Sequence, residues 1–273
     1  MVSNMKYAAC VEYDGANFSG WQTQKHDVRT VQEVVEAGLS KLANEPLEVI
    51  TAGRTDTGVH ATHQIIHFES SAERSSFAWC RGTNRFMDHD VRLLWVMPVD
   101  DQFHARFSAL SRSYRFVIYN NPIQSALFRT KVTHEYRELD VDRMRGAAVA
   151  LVGEHDFTSF RAAGCQAHSP IRILSEFKME ANGDWIWFDV RANAFLQHMV
   201  RNIAGSLIEI GCGKREVNWL EFLLEAKDRT QAGITAPPFG LYLTGVEYPK
   251  EFKLPTESRT IQFWPTGEDK SVE

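Results

Sequence analysis

Hydrophobic positions alternate with a period of two at Tyr7, Ala9, Val11 and Tyr13, and the run closes on Asp14-Gly15. That pattern predicts a strand ending in a turn. Thr30 and Glu33 stand at capping-box spacing, and Val31, Val34, Val35, Leu39 and Leu42 follow at helical intervals. An amphipathic helix with a signalled start is expected there. Leu47, Val49 and Thr51 suggest a second strand, and residues 62–69 a third. Residues 75–87 read as a helix, and residues 91–98 as a fourth strand stopped by Pro98.

The second half of the chain offers a similar series. Residues 112–119 put Tyr114, Phe116 and Ile118 on one face of a strand, against Arg115, Val117 and Tyr119. A helix is expected over about 140–151, with Met144, Ala147, Ala148 and Leu151 along one side and Gly153 as its stop. Residues 171–180 and 184–192 form a hairpin around Asn182-Gly183. Another helix spans about 195–210, with Leu196, Met199, Val200, Ile203 and Leu207 inward and Gly211 after it. Residues 216–227 add a helix, and Leu241 to Val246 a closing strand.

Both halves therefore read strand-helix-strand-strand-helix-strand, the split order of ferredoxin-like domains. The expected class is α+β: two ferredoxin-like (βαββαβ) halves with mixed or antiparallel sheets flanking a central cleft. The boundary falls near 103–110. Residues 1–105 make one half, 106–249 the other, and 250–273 a polar, proline-containing extension over the surface.

Composition trims the functions more than the fold. A chain of 273 residues can bury a core in one large or two small domains. It has no apolar run of about 18 residues, so no membrane span is expected. Its N-terminus, MVSNMKYAAC, has no apolar signal core, and a cytoplasmic location is expected. Cys10, Cys80, Cys165 and Cys212 form no C-x-x-C pair. They fit free thiols rather than a disulfide framework or finger-type zinc. The net charge of −5 argues against a general nucleic-acid binder but permits a local basic groove. Between Asp101 and Glu135 there is no acid, while Arg106, Arg112, Arg115, Arg129 and Lys131 alternate with Phe103, Phe107, Tyr114, Phe116 and Tyr119. That mixture suits a phosphate backbone and unstacked bases. It equally fits a linker and a strand with core aromatics.

Chemistry concentrates in Ala52-Gly53-Arg54-Thr55-Asp56-Thr57-Gly58-Val59-His60-Ala61, between two expected strands. Glycine lets the backbone approach a ligand. In an extended loop Arg54 and Asp56 point to the same side. A carboxylate beside a guanidinium stays ionised and is a usable nucleophile or base. The same residues also suit a simple tight turn. His60, His63 and His67 sit on a strand that places His60 opposite the other two. Core histidines are expected there rather than a shared metal. Gly211-Cys212-Gly213-Lys214 lacks the full phosphate-loop pattern and reads as a helix stop. Arg201 borders the apolar stripe of its helix and needs an acid. That acid is either a structural one such as Glu209 or Asp56.

Several segments together resemble bacterial tRNA pseudouridine synthases of the TruA type. They are Ser19-Gly20-Trp21-Gln22, AGRTDTGVHA at 52–61, FHARFSA at 103–109 with Ser113-Tyr114-Arg115, GEHDFTSFRA at 153–162, NAFLQHMVRNIAGSLIEIG at 193–211 and APPFGLYL at 236–243. The resemblance runs from Tyr7 to about Pro249. It implies an isomerase that converts uridine to pseudouridine at positions 38, 39 and 40 of the tRNA anticodon stem-loop. It implies Asp56 as the catalytic aspartate and Arg54 as a partner that stabilises the flipped-out nucleotide. It further implies Tyr114 as the aromatic packed on the target base, Arg201 as the arginine paired with the carboxylate, and Leu241 as an apolar pocket residue. No metal or organic cofactor is implied, and the family acts as a homodimer with one tRNA touching both subunits. Thr57 departs from the alanine of many relatives and leaves R-T-D-x-G-V-H intact. Two rival classes remain on the residues alone. One is a non-catalytic RNA-binding module, which leaves Arg54-Thr55-Asp56 unexplained. The other is a metal hydrolase built on the three histidines and Asp56.

Overall fold

The expected N-terminal strand forms as β1 (Met5–Tyr13), whose interior is buried on both faces. Its odd positions, Tyr7, Ala9, Val11 and Tyr13, belong to one buried cluster, and Ala8 and Cys10 to another. The chain is described by a computed structural model over residues 4–256 and residue 261. The rest of the expected C-terminal extension lies outside the described residues.

The first half continues with α1 (Val31–Ala43), β2 (Ile50–Thr51), β3 (His60–Ser70), α2 (Ser76–Phe86) and β4 (Val91–Pro98). The capping box closes as expected: Thr30 accepts from the Glu33 N–H, and Glu33 accepts from the Thr30 N–H. Strands β3 and β4 flank β1, both antiparallel, and β2 pairs antiparallel with β3. This gives the order β4-β1-β3-β2. Val31, Val35 and Leu39 of α1 and Trp79 of α2 share the cluster on the odd face of β1, so both helices cover that face.

The second half comprises β5 (Ser111–Asn120), β6 (Thr133–Glu135), α3 (Val141–Ala148), β7 (Gly153–Asp156), β8 (Ile171–Asn182), β9 (Trp185–Ala192), α4 (Met199–Gly211), α5 (Trp219–Ala226) and β10 (Leu241–Glu247). Its main strands run β10-β5-β9-β8, all antiparallel, which repeats the strand order of the first half. The two sheets fuse where β10 pairs parallel with β3, through Tyr242↔His60 and Leu243↔Ala61. The result is one ten-stranded sheet, β4-β1-β3-β10-β5-β9-β8-β7, with β2 on β3 and β6 on β5. The seam brings the loop before β3 beside the loop before β10. Across it, His60 stacks on Tyr242 at 4.6 Å, and Lys131 pairs with Asp14.

Some elements differ from the sequence pattern. β6 and β7 are three and four residues long, too short to show a period. The second strand shrinks to Ile50–Thr51. α3 ends at Ala148 in a 3-10 turn, Val149–Leu151. The hairpin turn is Gly183-Asp184, because Asn182 pairs with Trp185, and Gly183 holds φ +56°. The helix expected from about 195 starts at Met199, because His198 turns left-handed. Gly211 does end that helix.

The three histidines of β3 each have their own partner. His60 Nδ1 accepts from the Gly15 N–H at 3.0 Å, and His63 contacts Cys10 Sγ at 3.6 Å. His67 Nδ1 accepts from the Ala105 N–H at 3.1 Å. Burial, helped by His104 and Lys6, pushes the His67 imidazole down to about 4. The folded state thus resists protonating His67, while the unfolded chain takes the proton near its ordinary value. Stability from this ring is present above about 6.5 and is lost as pH falls toward 4. Melting curves across that window should show a falling Tm, and His67→Gln should flatten the fall. An unchanged slope in that variant would contradict the assignment.

Candidate active site

The loop between β2 and β3 is held almost entirely through its backbone. The Ala52 N–H donates to Ile65 O at 2.8 Å, and Gln64 Nε2 donates to Gly53 O at 2.6 Å. The Trp21 N–H donates to Thr55 O at 3.0 Å, and the Gly58 N–H to Phe18 O at 3.3 Å. Thr55 turns inward, where its hydroxyl and that of Tyr13 share a hydrogen bond of 2.7 Å. Gly20 holds φ +91°, and a Cβ there would lie 2.7 Å from Thr55 O. The Ser19-Gly20-Trp21-Gln22 segment is therefore the floor on which the loop rests. Gly58, at φ +79°, lies against Pro238 and Phe239, which ties the loop to the segment before β10.

With Thr55 inward, its neighbours face solvent, as the alternation predicts. Arg54 is exposed. Asp56 keeps 27% of its side chain exposed. Among the described residues Arg54 makes no ion pair with Asp56. The guanidinium beside the carboxylate belongs to Arg201, whose Nη1 donates to Asp56 Oδ2 at 3.3 Å. The alternative acid, Glu209, pairs instead with Lys214 and Arg215. His198 Nε2 lies 3.5 Å from the same Oδ2.

Arg201 is itself fixed from behind. Its side chain is 14% exposed, and its Nε donates to Ala236 O at 2.9 Å. The Ala236 N–H returns a bond to Arg201 O at 3.1 Å. This close crossing requires Gly205, where a Cβ would fall 1.8 Å from Ile234 O. The apolar face of α4 thus anchors Arg201, and the segment 234–236 aims it through Ala236.

Tyr114 lies on the helix-covered face of β5 and is only 9% exposed. Its ring meets Phe195 edge-on, with centroids 5.0 Å apart. Burial, and next the negative charge of Asp56, push its hydroxyl pKa upward. Leu241 opens β10 opposite Phe116 and is buried. Asp56, Arg201 and Tyr114 are therefore brought together. Arg54 remains on the rim. His198 carries a signal no periodicity reveals, because its contact arises from a left-handed backbone.

The acid-free stretch does not form one nucleic-acid face. Phe103 and Phe116 are core residues, Arg115 pairs with Asp189, and Lys131 with Asp14. Phe107 is the exposed aromatic of the stretch, at 75%, with Arg106 5.5 Å from its ring. Arg112 ties the 106–109 loop to the segment that carries Asp56, donating to Arg106 O and to Ala52 O at 2.8 and 2.9 Å.

Two ferredoxin-like halves fused into one sheet, with helices on one face, are consistent with the pseudouridine synthase fold. A family model described as tRNA pseudouridine synthase matches residues 9–108 and 147–249. A tRNA pseudouridine synthase A from Buchnera aphidicola subsp. Acyrthosiphon pisum is 49% identical over 265 residues, 97% of this chain and 99% of the relative. One from Shewanella amazonensis is 51% identical over 261 residues, 96% of this chain and 100% of the relative. One from Alcanivorax borkumensis is 51% identical over 252 residues, covering 92% and 94%. The chain belongs to the tRNA pseudouridine synthase family.

Proposed function

We propose that this protein is an isomerase that converts uridine to pseudouridine in tRNA, with Asp56 as its reacting carboxylate. One observation carries the assignment of the residue. Asp56 is a partly exposed acid on a loop held by backbone hydrogen bonds, and an arginine from a helix of the second half of the chain meets it at 3.3 Å. A structural ion pair would not need so much backbone to hold a single side chain open to solvent.

The chemistry asks for little else. The N1–C1′ bond breaks, the base turns, and C5 bonds to C1′. The C5 proton leaves and N1 gains one. No atom is lost and nothing is oxidised, so the balance needs no cofactor. A carboxylate that attacks the nucleoside needs a fixed position and an open approach. Arg201 supplies the position. A stem base is out of reach until it is flipped, which takes a few kcal/mol. Arg54, exposed at the rim, is suited to hold the displaced nucleotide. Tyr114 packs on the flipped base, and Leu241 lines the apolar wall behind it.

The resemblance to TruA-type enzymes supports uridines 38, 39 and 40 of the anticodon stem-loop as targets. It also supports a cytoplasmic homodimer with one tRNA across both subunits. The two halves, 1–105 and 106–249, are the units between which the nucleoside enters. Pseudouridine mapping by carbodiimide modification and primer extension, on tRNA treated with the purified protein, tests the target. Stops at 38, 39 or 40 are expected. Stops confined to other positions would overturn the anticodon assignment.

No described helix is long and apolar enough to cross a membrane. That is in keeping with a tRNA substrate.

A further inference from the structure

The start of α4 breaks the usual rules of a helix N-terminus. An N-cap residue is normally extended and is Ser, Thr, Asp or Asn, with a side chain that accepts from the first turn. His198 occupies that place with φ 63° and ψ 1°, and its side chain makes no capping bond. Left-handed backbone is unfavourable for a residue with a Cβ, and such outliers persist where surrounding structure demands them. Here the neighbours do fix it. The Ala162 N–H donates to Gln197 O, just before His198, and the Asn202 N–H donates to His198 O at 2.8 Å.

What the turn achieves is visible at Asp56. His198 and Arg201 stand three residues apart, on one side of the helix start. Both aim at a single carboxylate oxygen, Oδ2, at 3.5 and 3.3 Å. Among the described residues, the hydrogen bond to the Asp56 carboxylate is made to Oδ2 and none to Oδ1. The His198 ring makes no hydrogen bond among the described residues and keeps 31% of its side chain exposed. At 3.5 Å it lies just outside a hydrogen bond, a separation that active-site contacts commonly close when substrate binds.

We infer that His198 is a positioning residue for Asp56: with Arg201 it clamps Oδ2, so that Oδ1 faces the nucleoside. The inference rests on the reading of Asp56 as the reacting carboxylate. Clamping one oxygen removes rotation about the carboxylate and holds the other in the line of attack.

The left-handed backbone makes the test clean. Glycine adopts that conformation freely, and Asn and Asp tolerate it better than other residues. His198→Gly therefore removes the donor and keeps the turn. His198→Asn keeps a donor, and His198→Asp replaces it with a like charge. Single-turnover rates at saturating protein should fall about tenfold in His198→Gly, the worth of one bond to a charged group. Its tRNA affinity should stay within about twofold and its Tm at or above that of wild type, because glycine relieves the left-handed strain. His198→Asn should recover most of the rate, and His198→Asp should be slower than His198→Asn. A wild-type rate in His198→Gly overturns the inference, as does a His198→Asn no faster than His198→Asp. If the wild-type protein itself forms no pseudouridine, the failure is that of the functional reading.

Discussion

Asp56→Asn is expected to yield a folded, tRNA-binding protein that forms no pseudouridine. The amide has the volume of the carboxylate and can still meet solvent, since Asp56 is 27% exposed. Arg201 keeps its bond to Ala236 O, so no guanidinium is stranded without a partner. Stability should shift by no more than about 1 kcal/mol, the range of partly exposed pairs. Activity is another matter. An amide is no nucleophile, and removing a reacting group costs on the order of 10⁴-fold or more. Nucleoside analysis of digested tRNA, run beside melting and tRNA-binding measurements, separates these effects. Substantial turnover by Asp56→Asn would reject the residue.

The second large effect is expected at Arg201. Arg201→Ala removes the hydrogen-bonding partner of Asp56 and leaves the Ala236 carbonyl without its donor. Without Arg201 the carboxylate loses the group that fixes its position, so kcat should fall on the order of 10²–10³-fold. KM should move far less, because Arg201 acts through Asp56. Arg201→Lys keeps the charge but has no rigid fork to reach Asp56 Oδ2 and Ala236 O together, so its recovery should be partial. The double variant Asp56→Asn with Arg201→Ala should be no slower than Asp56→Asn alone, the mark of groups that act as one unit. Full activity in Arg201→Ala would make the pair structural.

Which parts of this were legible beforehand follows from how far apart the cooperating residues lie. β1 and the start of α1 are local: an alternation over seven residues and a Thr30–Glu33 box specify them without help from the rest of the chain. The strand order of each half follows from element order. The seam does not. Parallel pairing of β3 with β10 joins residues 60–61 to 242–243, a register that no local pattern encodes. β6 and β7 are likewise too short to announce themselves.

The site divides in the same way. The bracketed Arg54-Thr55-Asp56 loop stands out by residue type alone, and Gly20 explains why its companion motif accompanies it. Arg201 reads as an arginine in need of an acid; its residues alone leave Asp56 and Glu209 open, the family resemblance points to Asp56, and the packing of segment 234–236 across Gly205 is the physical reason for that pairing. The sequence leaves Tyr114 open between an exposed aromatic of a basic strand and a core residue, and the fold buries it and leaves Phe107 outside. His198 was hidden, because a histidine among apolar neighbours gives no sign that its backbone will turn left-handed.

The most direct test is release of tritium from tRNA labelled as [5-³H]uridine, incubated with the purified protein and no added cofactor. Forming the C5–C1′ bond expels whatever hydrogen C5 carried. Wild-type protein should release tritium to water with repeated turnover. Retention of the label by tRNA that the protein demonstrably binds would contradict the account.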